Sequence, residues 1–339
     1  MAGAFSANLA LAQDDQLEDT LIVRTTGSAF EDALVKHYFT PFTEETGVTV
    51  IPVASSYGEM VSKTAAMVEA GNAEWDIISP QFYELQKLSP YLMDLGDCSE
   101  MPNVASEGIP GICGQYGVQY LQGGVVLAYN PTMFPDEKPD SWADFWDTES
   151  FPGGRALPSY GNPWGNVFLF ALMADGVAPG KLFPLDLDRA FASLDEIKSE
   201  IDVWWKTGAQ SVDLMRSGEI AMTPMWSGTA YAAKADGVPL EWTFNQAIAD
   251  RGSWAIVKGA PHPNAAKAFI DFYMTNPENH ANFAREIGYL TTNAKARTLL
   301  SEEKQDELVP EGETVDIDAD WVEENRESAL ERWNAWLAQ

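Results

Sequence analysis

Two adjacent tryptophans and a lysine stand in a β-type run, within the stretch "IDVWWKTGAQ" at residues 201–210. Because the side chains of a strand alternate between its faces, Trp204 and Lys206 share one face and Trp205 faces the other way. A cation over an aromatic ring is attracted to it, and a lysine suits a carboxylate. We therefore expect one tryptophan to line a ligand site and the other to lie in the core, and the strand pattern leaves open which.

Other candidate side chains collect where the predicted strands end. In open α/β sheets, ligands bind beyond the carboxyl ends of the strands. The residues at these ends are aromatic, hydroxyl, amide or basic, namely Thr26, Ser28, Tyr83, Trp164, Asn166, Trp204, Lys206, Gln210, Trp226 and Arg251. Such a set suits the binding of a small polar molecule.

Motifs of enzyme chemistry are missing from the sequence. It contains no Gly-x-Ser-x-Gly, no Gly-x-Gly-x-x-Gly, no phosphate loop and no His-Glu-x-x-His. We therefore predict a binding protein rather than an enzyme. Two alternatives of other classes stay open, a sugar-binding module with stacking tryptophans and a hydrolase that uses a pair of carboxylates.

Strand and helix patterns alternate along the chain. The runs "TLIVRTT", "VTVIPVA" and "WDIISP" read as strands, separated by amphipathic helices, and a second region of the same kind starts at "GGVVLAYN". This order predicts an α/β protein with parallel strands covered by helices. The length of 339 residues and the lack of a long linker favour two closely joined lobes.

The charge of the chain limits its partners. The sequence has 51 acidic and 21 basic residues, a net charge of −30, so nucleic acid and anionic membranes are poor partners. The three histidines are scattered, and with two cysteines they do not form a zinc motif. We expect no metal and no cofactor.

The N-terminus and the cysteines point to export. The pattern Ala10-Leu11-Ala12 resembles a signal-peptide cleavage site, and we take residues 1–17 as a residual signal or tail. The sequence contains no run of ~20 apolar residues of the kind that spans a membrane. Cys98 and Cys113 bracket a loop-like stretch, and in an oxidising compartment this pair predicts a disulfide.

Several longer stretches resemble one protein family. These are "YNPTMFPDEKPDSWADFWD", "SGEIAMTPMWSGTAYAAKADGVPLEW" and "NAAKAFIDFYMTNPENHANFAREIGYLTTNAKA". They are similar to the extracytoplasmic solute-binding proteins of bacterial ABC importers, on the spermidine/putrescine-binding branch. The resemblance implies a two-lobed type II periplasmic binding protein fold that closes over its ligand. It also implies a box of aromatic side chains around the ligand, and the positions of that box retained in this sequence are Tyr83, Trp226 and Tyr289.

The sequence departs from that family where the ligand charge is decided. The acidic pair of the polyamine binders falls near Pro163 and Asn166, and the family's first-strand tryptophan appears as Thr26. Lys206 and Arg251 are instead basic and suit a ligand carboxylate. The sequence thus favours a zwitterion like 4-aminobutyrate, with a polyamine as the alternative.

The resemblance also implies a mode of action. The expected protein is a periplasmic monomer that passes its ligand to a membrane permease and its ATPase. We place the first lobe at residues 18–121 plus 253–297 and the second at 122–252 plus 298–339. Hinges are expected near residues 122–124, near 252–253 and after Thr292.

Overall fold

The structure is a computed structural model that describes residues 17–159, 165–308 and 314–339. Its strands are β1 (Thr20–Thr25), β2 (Thr49–Ala54), β3 (Ile77–Ile78), β4 (Cys113–Gly114), β5 (Gly117–Tyr129), β6 (Arg155–Pro158), β7 (Ile201–Trp205), β8 (Met222–Trp226), β9 (Glu241–Ile256) and β10 (Leu290–Thr291).

The helices complete the α/β architecture that the sequence predicts. They are α1 (Ser28–Leu34), α2 (Thr40–Thr46), α3 (Tyr57–Glu69), α4 (Leu85–Leu88), α5 (Pro102–Glu107), α6 (Trp142–Trp146), α7 (Val167–Ala174), α8 (Leu187–Ile197), α9 (Gly208–Ser217), α10 (Ser227–Ala235), α11 (Pro263–Tyr273), α12 (Pro277–Ile287), α13 (Glu302–Leu308) and α14 (Ala319–Leu337). A π-helical segment, Val35–Phe39, joins α1 to α2.

The sheet is mixed rather than purely parallel. In the described chain the strands run in the order β2-β1-β3-β9-β5-β8-β6-β7, and β4 and β10 each pair with β5. β1 pairs in parallel with β2 and β3, as predicted. β5 and β9 pair antiparallel over most of their length, and β9 also pairs antiparallel with β3. The first half of β9 lacks a run of apolar residues that would predict a strand there.

Hydrophobic cores form on both sides of the long β5–β9 pair. The first lobe, which holds β1–β3, packs side chains such as Phe42, Phe269 and Tyr273. The second lobe, which holds β6–β8, packs others such as Trp142 and Phe168. Each lobe therefore has its own core, and β5 and β9 connect the two.

Local signals set several of these boundaries. α2 stops at Gly47, whose φ of 79° suits glycine, and α14 starts after Asp318, whose carboxylate accepts a hydrogen bond from the Trp321 N–H at 2.9 Å. Ser28 is the first residue of α1, and Gly27 occupies the cap position before it. The predicted disulfide is confirmed, because Cys98 and Cys113 are bonded.

The two lobes also touch away from the crossing strands. Arg326 on α14 pairs with the buried Glu84 of the first lobe at 3.1 Å. At a second contact between the lobes, the Tyr231 hydroxyl of α10 donates to the backbone carbonyl of Arg285 on α12 at 2.6 Å. Across the described ranges, no helix combines the length and apolar character needed to span a bilayer.

Candidate ligand-binding site

A buried carboxylate lies in the strand that connects the lobes. Asp250 of β9 is only 7% exposed, and Gln81, just after β3, donates from Nε2 to its Oδ1 at 2.6 Å. Burial raises the pKa of Asp250, and hydrogen bonds from Gln81 and Tyr289 act in the opposite direction. Gln81, Asp250 and Tyr289 are called the Asp250 cluster below. It gathers three distant segments around one negative charge.

Tyr289 reaches this cluster because glycines leave room for its ring. A Cβ added to Gly123 would lie 2.5 Å from that ring, and one added to Gly228 would also collide with it. Burial raises the pKa of Tyr289 well above its usual range, and the charge of Asp250 acts in the same direction. The tyrosine therefore stays protonated and can donate a hydrogen bond to the carboxylate.

Two further predicted aromatic residues flank the cluster along the chain. Tyr83 lies two residues after Gln81 and is buried, with its ring edge against Phe82 at 5.8 Å between centroids. Trp226 is half-buried at the end of β8, two residues before Gly228. The structure thus brings the aromatic positions taken from the family resemblance to strand ends near the lobe contact.

The tryptophan pair divides between two packing environments. Trp205 is fully buried, donates from Nε1 to the Thr223 hydroxyl at 3.0 Å and meets the Trp226 ring at 6.2 Å. Trp204 is half-buried and packs edge-on against Trp333 and Trp336 of α14, at 5.8 and 5.7 Å. Trp205, which the sequence left open, is therefore the one in contact with Trp226. The ligand role of Trp204 stays a prediction.

The predicted basic residues have their partners outside the Asp250 cluster. Arg251 follows Asp250 in an extended strand, so its side chain faces the other side of β9. It pairs with Asp316 at 2.8 Å and lies over the Phe82 ring. Lys206 is exposed at the end of β7, and its N–H donates to the Gln210 side chain. The assignment of Arg251, Lys206 and Gln210 to a ligand stays a prediction.

The remaining predicted residues also fall at strand ends. Thr26 is exposed after β1, and Ser28 opens α1. Asn166 is buried at the start of α7, where its side-chain oxygen accepts the Val167 N–H at 2.5 Å. Trp164 lies outside the described residues. The roles of these residues stay predictions.

Two charged residues were missed as site candidates. Asp250 was not among the predicted site residues, although the residues that precede it in sequence are apolar. Arg24 lies inside the apolar run "LIVRTT", and the structure buries it completely. Burial lowers the pKa of Arg24 from its usual value. A charge within a core strand was the signal in both cases, since such charges are rarely buried without a partner.

Comparisons with known proteins identify the family of this chain. The family model described as bacterial extracellular solute-binding protein matches residues 37–311. The gamma-aminobutyric acid-binding protein of Pseudomonas aeruginosa is 31% identical over 94% of this chain and 91% of its own length. The spermidine/putrescine-binding periplasmic protein of Escherichia coli is 25% identical, over 81% of this chain and 79% of its own.

A solved structure extends the likeness to the whole fold. An ABC transporter substrate-binding protein from Bradyrhizobium japonicum superposes with a TM-score of 0.85, at 32% identity, over 94% of this chain and 99% of its own. Its two-lobed periplasmic binding protein fold is that of this chain, and such proteins bind and deliver solutes without chemical turnover. The hydrolase alternative is therefore set aside, and the chain belongs to the bacterial extracellular solute-binding proteins, as a solute-binding component of an ABC importer.

Proposed function

We propose that the protein captures a small molecule with an ammonium and a carboxylate, of the 4-aminobutyrate type, and delivers it to its permease and ATPase. The observation that supports this most strongly is the buried carboxylate of Asp250 in the strand between the lobes. A buried carboxylate is costly unless a cation or hydrogen-bond donors compensate it. The ammonium of such a ligand supplies both.

The surroundings of Asp250 suit an ammonium group. Within the described chain, the Oε1 atom of Gln81 is buried and has no hydrogen-bond partner, so a second acceptor lies beside the carboxylate. An ammonium has three N–H donors and can serve both oxygens. The rings of Tyr83, Trp226 and Tyr289 add apolar walls and cation–π attraction.

A ligand with one ammonium fits better than a polyamine. The acidic pair of the polyamine binders falls near Pro163 and Asn166 in this chain, so the second ammonium of a diamine loses its counter-charges. The relative named for gamma-aminobutyric acid is also more similar, at 31% identity, than the polyamine-binding protein at 25%. Both differences favour the zwitterion.

Calorimetric titration tests the ligand class. Wild type, Asp250→Asn and Trp226→Ala are titrated with 4-aminobutyrate, putrescine and butyrate, with Asp213→Asn on the exposed face of α9 as the matched control. Loss of a charge-assisted contact is worth about 1.5–3 kcal/mol, so Asp250→Asn should weaken 4-aminobutyrate about 10- to 150-fold. Trp226→Ala should weaken it too, and butyrate should bind poorly to every variant.

Two results would contradict the proposal. Tight binding of putrescine with no binding of 4-aminobutyrate would establish the polyamine alternative. Equal affinities of wild type and Asp250→Asn for every amine would remove Asp250 from the site.

The division into lobes and the compartment belong to the same proposal. We place the first lobe at residues 18–121 plus 253–297 and the second at 122–252 plus 298–339, in a periplasmic monomer. The separate cores support this division, although Leu300 and Leu308 of the later segment pack on Ala281 and Ala284 of α12. The expected signal or tail, residues 1–17, lies outside the described chain except for Leu17. Small-angle scattering should show a smaller radius with ligand, and an unchanged radius would contradict hinge closure.

A further inference from the structure

Arg24 is a buried cation whose partners are all neutral. Its Nε donates to the Ser55 hydroxyl at 2.9 Å, one terminal nitrogen donates to the Ser55 carbonyl at 2.5 Å, and the other donates to the Ser79 hydroxyl at 3.3 Å. Within the described residues, no carboxylate forms an ion pair with it. The Glu59 carboxylate acts on the guanidinium electrostatically but does not contact it, so the buried charge is compensated only in part.

A second buried arginine shows what a structural role looks like in this fold. Arg155, at the start of β6, donates to the backbone carbonyls of four residues at 2.5–3.1 Å, those of Phe145, Asp147, Phe151 and Gly153. Backbone carbonyls alone therefore accept the hydrogen bonds that this side chain donates. Arg24 instead has two hydroxyl partners, which can rotate and donate to an anion.

The position of Arg24 also differs from that of Arg155. Ser55 follows the last residue of β2, and Ser79 follows the last residue of β3, so the guanidinium lies at the carboxyl ends of the strands. Both serines are half-buried. Ligands of open α/β sheets bind at this edge, whereas Arg155 begins its strand at the opposite edge.

Buried polar groups connect Arg24 to the Asp250 cluster. Ser79, a partner of Arg24, lies two residues before Gln81 in the chain, and the charges of Asp250 and Arg24 both act on the hydroxyl of Tyr120. Burial, with a smaller contribution from Asp250, raises the pKa of Tyr120, while Arg24 acts to lower it. A buried positive group and a buried negative group thus both act on one buried tyrosine hydroxyl.

We propose that Arg24, with the hydroxyls of Ser55 and Ser79, binds the ligand carboxylate while Asp250 binds the ammonium. This inference rests on the proposed function and names the residue that selects a carboxylate. A carboxylate matches the planar guanidinium with two oxygens and neutralises the buried charge. Arg251 is the rival, but it already pairs with Asp316 and faces away from Asp250.

The test compares 4-aminobutyrate with its neutral amide, 4-aminobutanamide, by calorimetry. Both ligands keep the ammonium, so the ratio of their affinities measures recognition of the carboxylate alone. Wild type should prefer the carboxylate, Arg24→Gln should lower the ratio about 10- to 100-fold, and Arg24→Lys should lower it less because the charge remains. Arg216→Gln, on the exposed end of α9, is the matched control and should keep the wild-type ratio.

The outcomes separate the two proposals. Wild-type binding of neither ligand would contradict the proposed function and, with it, this inference. Binding with an unchanged ratio in both Arg24 variants, or a ratio lost only in Arg251→Gln, would overturn the role of Arg24 and leave the proposed function intact.

A direct measurement covers the case in which the Arg24 variants do not fold. The ¹⁵N–¹H signal of the Arg24 Nε group in wild type is followed while each ligand is added. A shift with 4-aminobutyrate that is much larger than with 4-aminobutanamide would support the assignment. Equal shifts, or none, would overturn it.

Discussion

His280 should make the folded protein sensitive to acid. It lies in α12 and is completely buried, with its Nδ1 at 3.0 Å from the Tyr38 hydroxyl and its Nε2 at 2.5 Å from the carbonyl of Tyr273. The carbonyl of Tyr273 accepts a hydrogen bond from the Nε2–H group, so Nδ1 of the neutral ring accepts the hydrogen bond that the Tyr38 hydroxyl donates. Burial lowers the pKa of His280 from 6.5 to about 4, and backbone hydrogen bonds only partly oppose this.

The size of the effect follows from the two pKa values. An unfolded histidine takes up a proton near pH 6.5, whereas folded His280 does so only near pH 4. Its contribution to stability is therefore fully present above pH 6.5 and is lost as the pH falls to about 4. The gap corresponds to about 3 kcal/mol of unfolding free energy.

Denaturant unfolding between pH 7 and pH 4 measures this contribution. The free energy of unfolding is determined for wild type, His280→Gln and Tyr38→Phe. Because other titrating groups are common to all three, the difference between the curves isolates the imidazole. Wild type and Tyr38→Phe should both lose about 3 kcal/mol more than His280→Gln over this range. Curves of wild type and His280→Gln that stay parallel within about 0.5 kcal/mol would refute the reasoning.

Three other predictions concern stability and packing. Replacing Cys113 by serine opens a loop with a sequence separation of 15 from Cys98. It should cost about 3 kcal/mol in denaturant unfolding, and loss of less than about 1 kcal/mol would contradict a structural disulfide. Gly123→Ala places a Cβ against the Tyr289 ring, so it should lower the free energy of unfolding by about 1–3 kcal/mol and weaken ligand binding measured by calorimetry. Unchanged ligand binding would show that the ring moves freely. Burial raises the pKa of Asp250, so its stabilising contribution is present at low pH and lost as the pH rises through the folded pKa. Asp250→Asn should therefore raise the melting temperature of the ligand-free protein at pH 7, by less as the pH falls to 4, and an unchanged or lowered melting temperature at pH 7 would argue against a costly buried charge.

Local sequence patterns determined the parts of the fold that local physics controls. The alternation of apolar runs and amphipathic segments predicted the parallel strands β1, β2 and β3. Gly47 ends α2 and Asp318 begins α14 through local signals, since a left-handed turn and a side-chain cap each depend on a few neighbouring residues. The disulfide could be predicted from an oxidising compartment and the loop-like stretch between the two cysteines alone.

Distant pairing determined the parts that the sequence did not predict. The antiparallel run of β9 along β5 joins segments more than a hundred residues apart, and no local pattern in "EWTFNQAIAD" announces it. That pairing decides which side of the strand each charge faces. It directs Asp250 towards Gln81 and Tyr289, and it directs Arg251 towards Asp316.

The candidate site shows the same division. The sequence determined which residue types are present, the aromatic rings and the loss of the family's acidic pair among them. Only the tertiary structure decided that Asp250 and Arg24 are the buried charges, because burial depends on what packs over a side chain. Gln81 covers Asp250 from 169 residues away in the chain, and Ser79 meets Arg24 from 55 residues away. The cost of an unsolvated charge exists only after those segments have come together, so composition and periodicity could not reveal it.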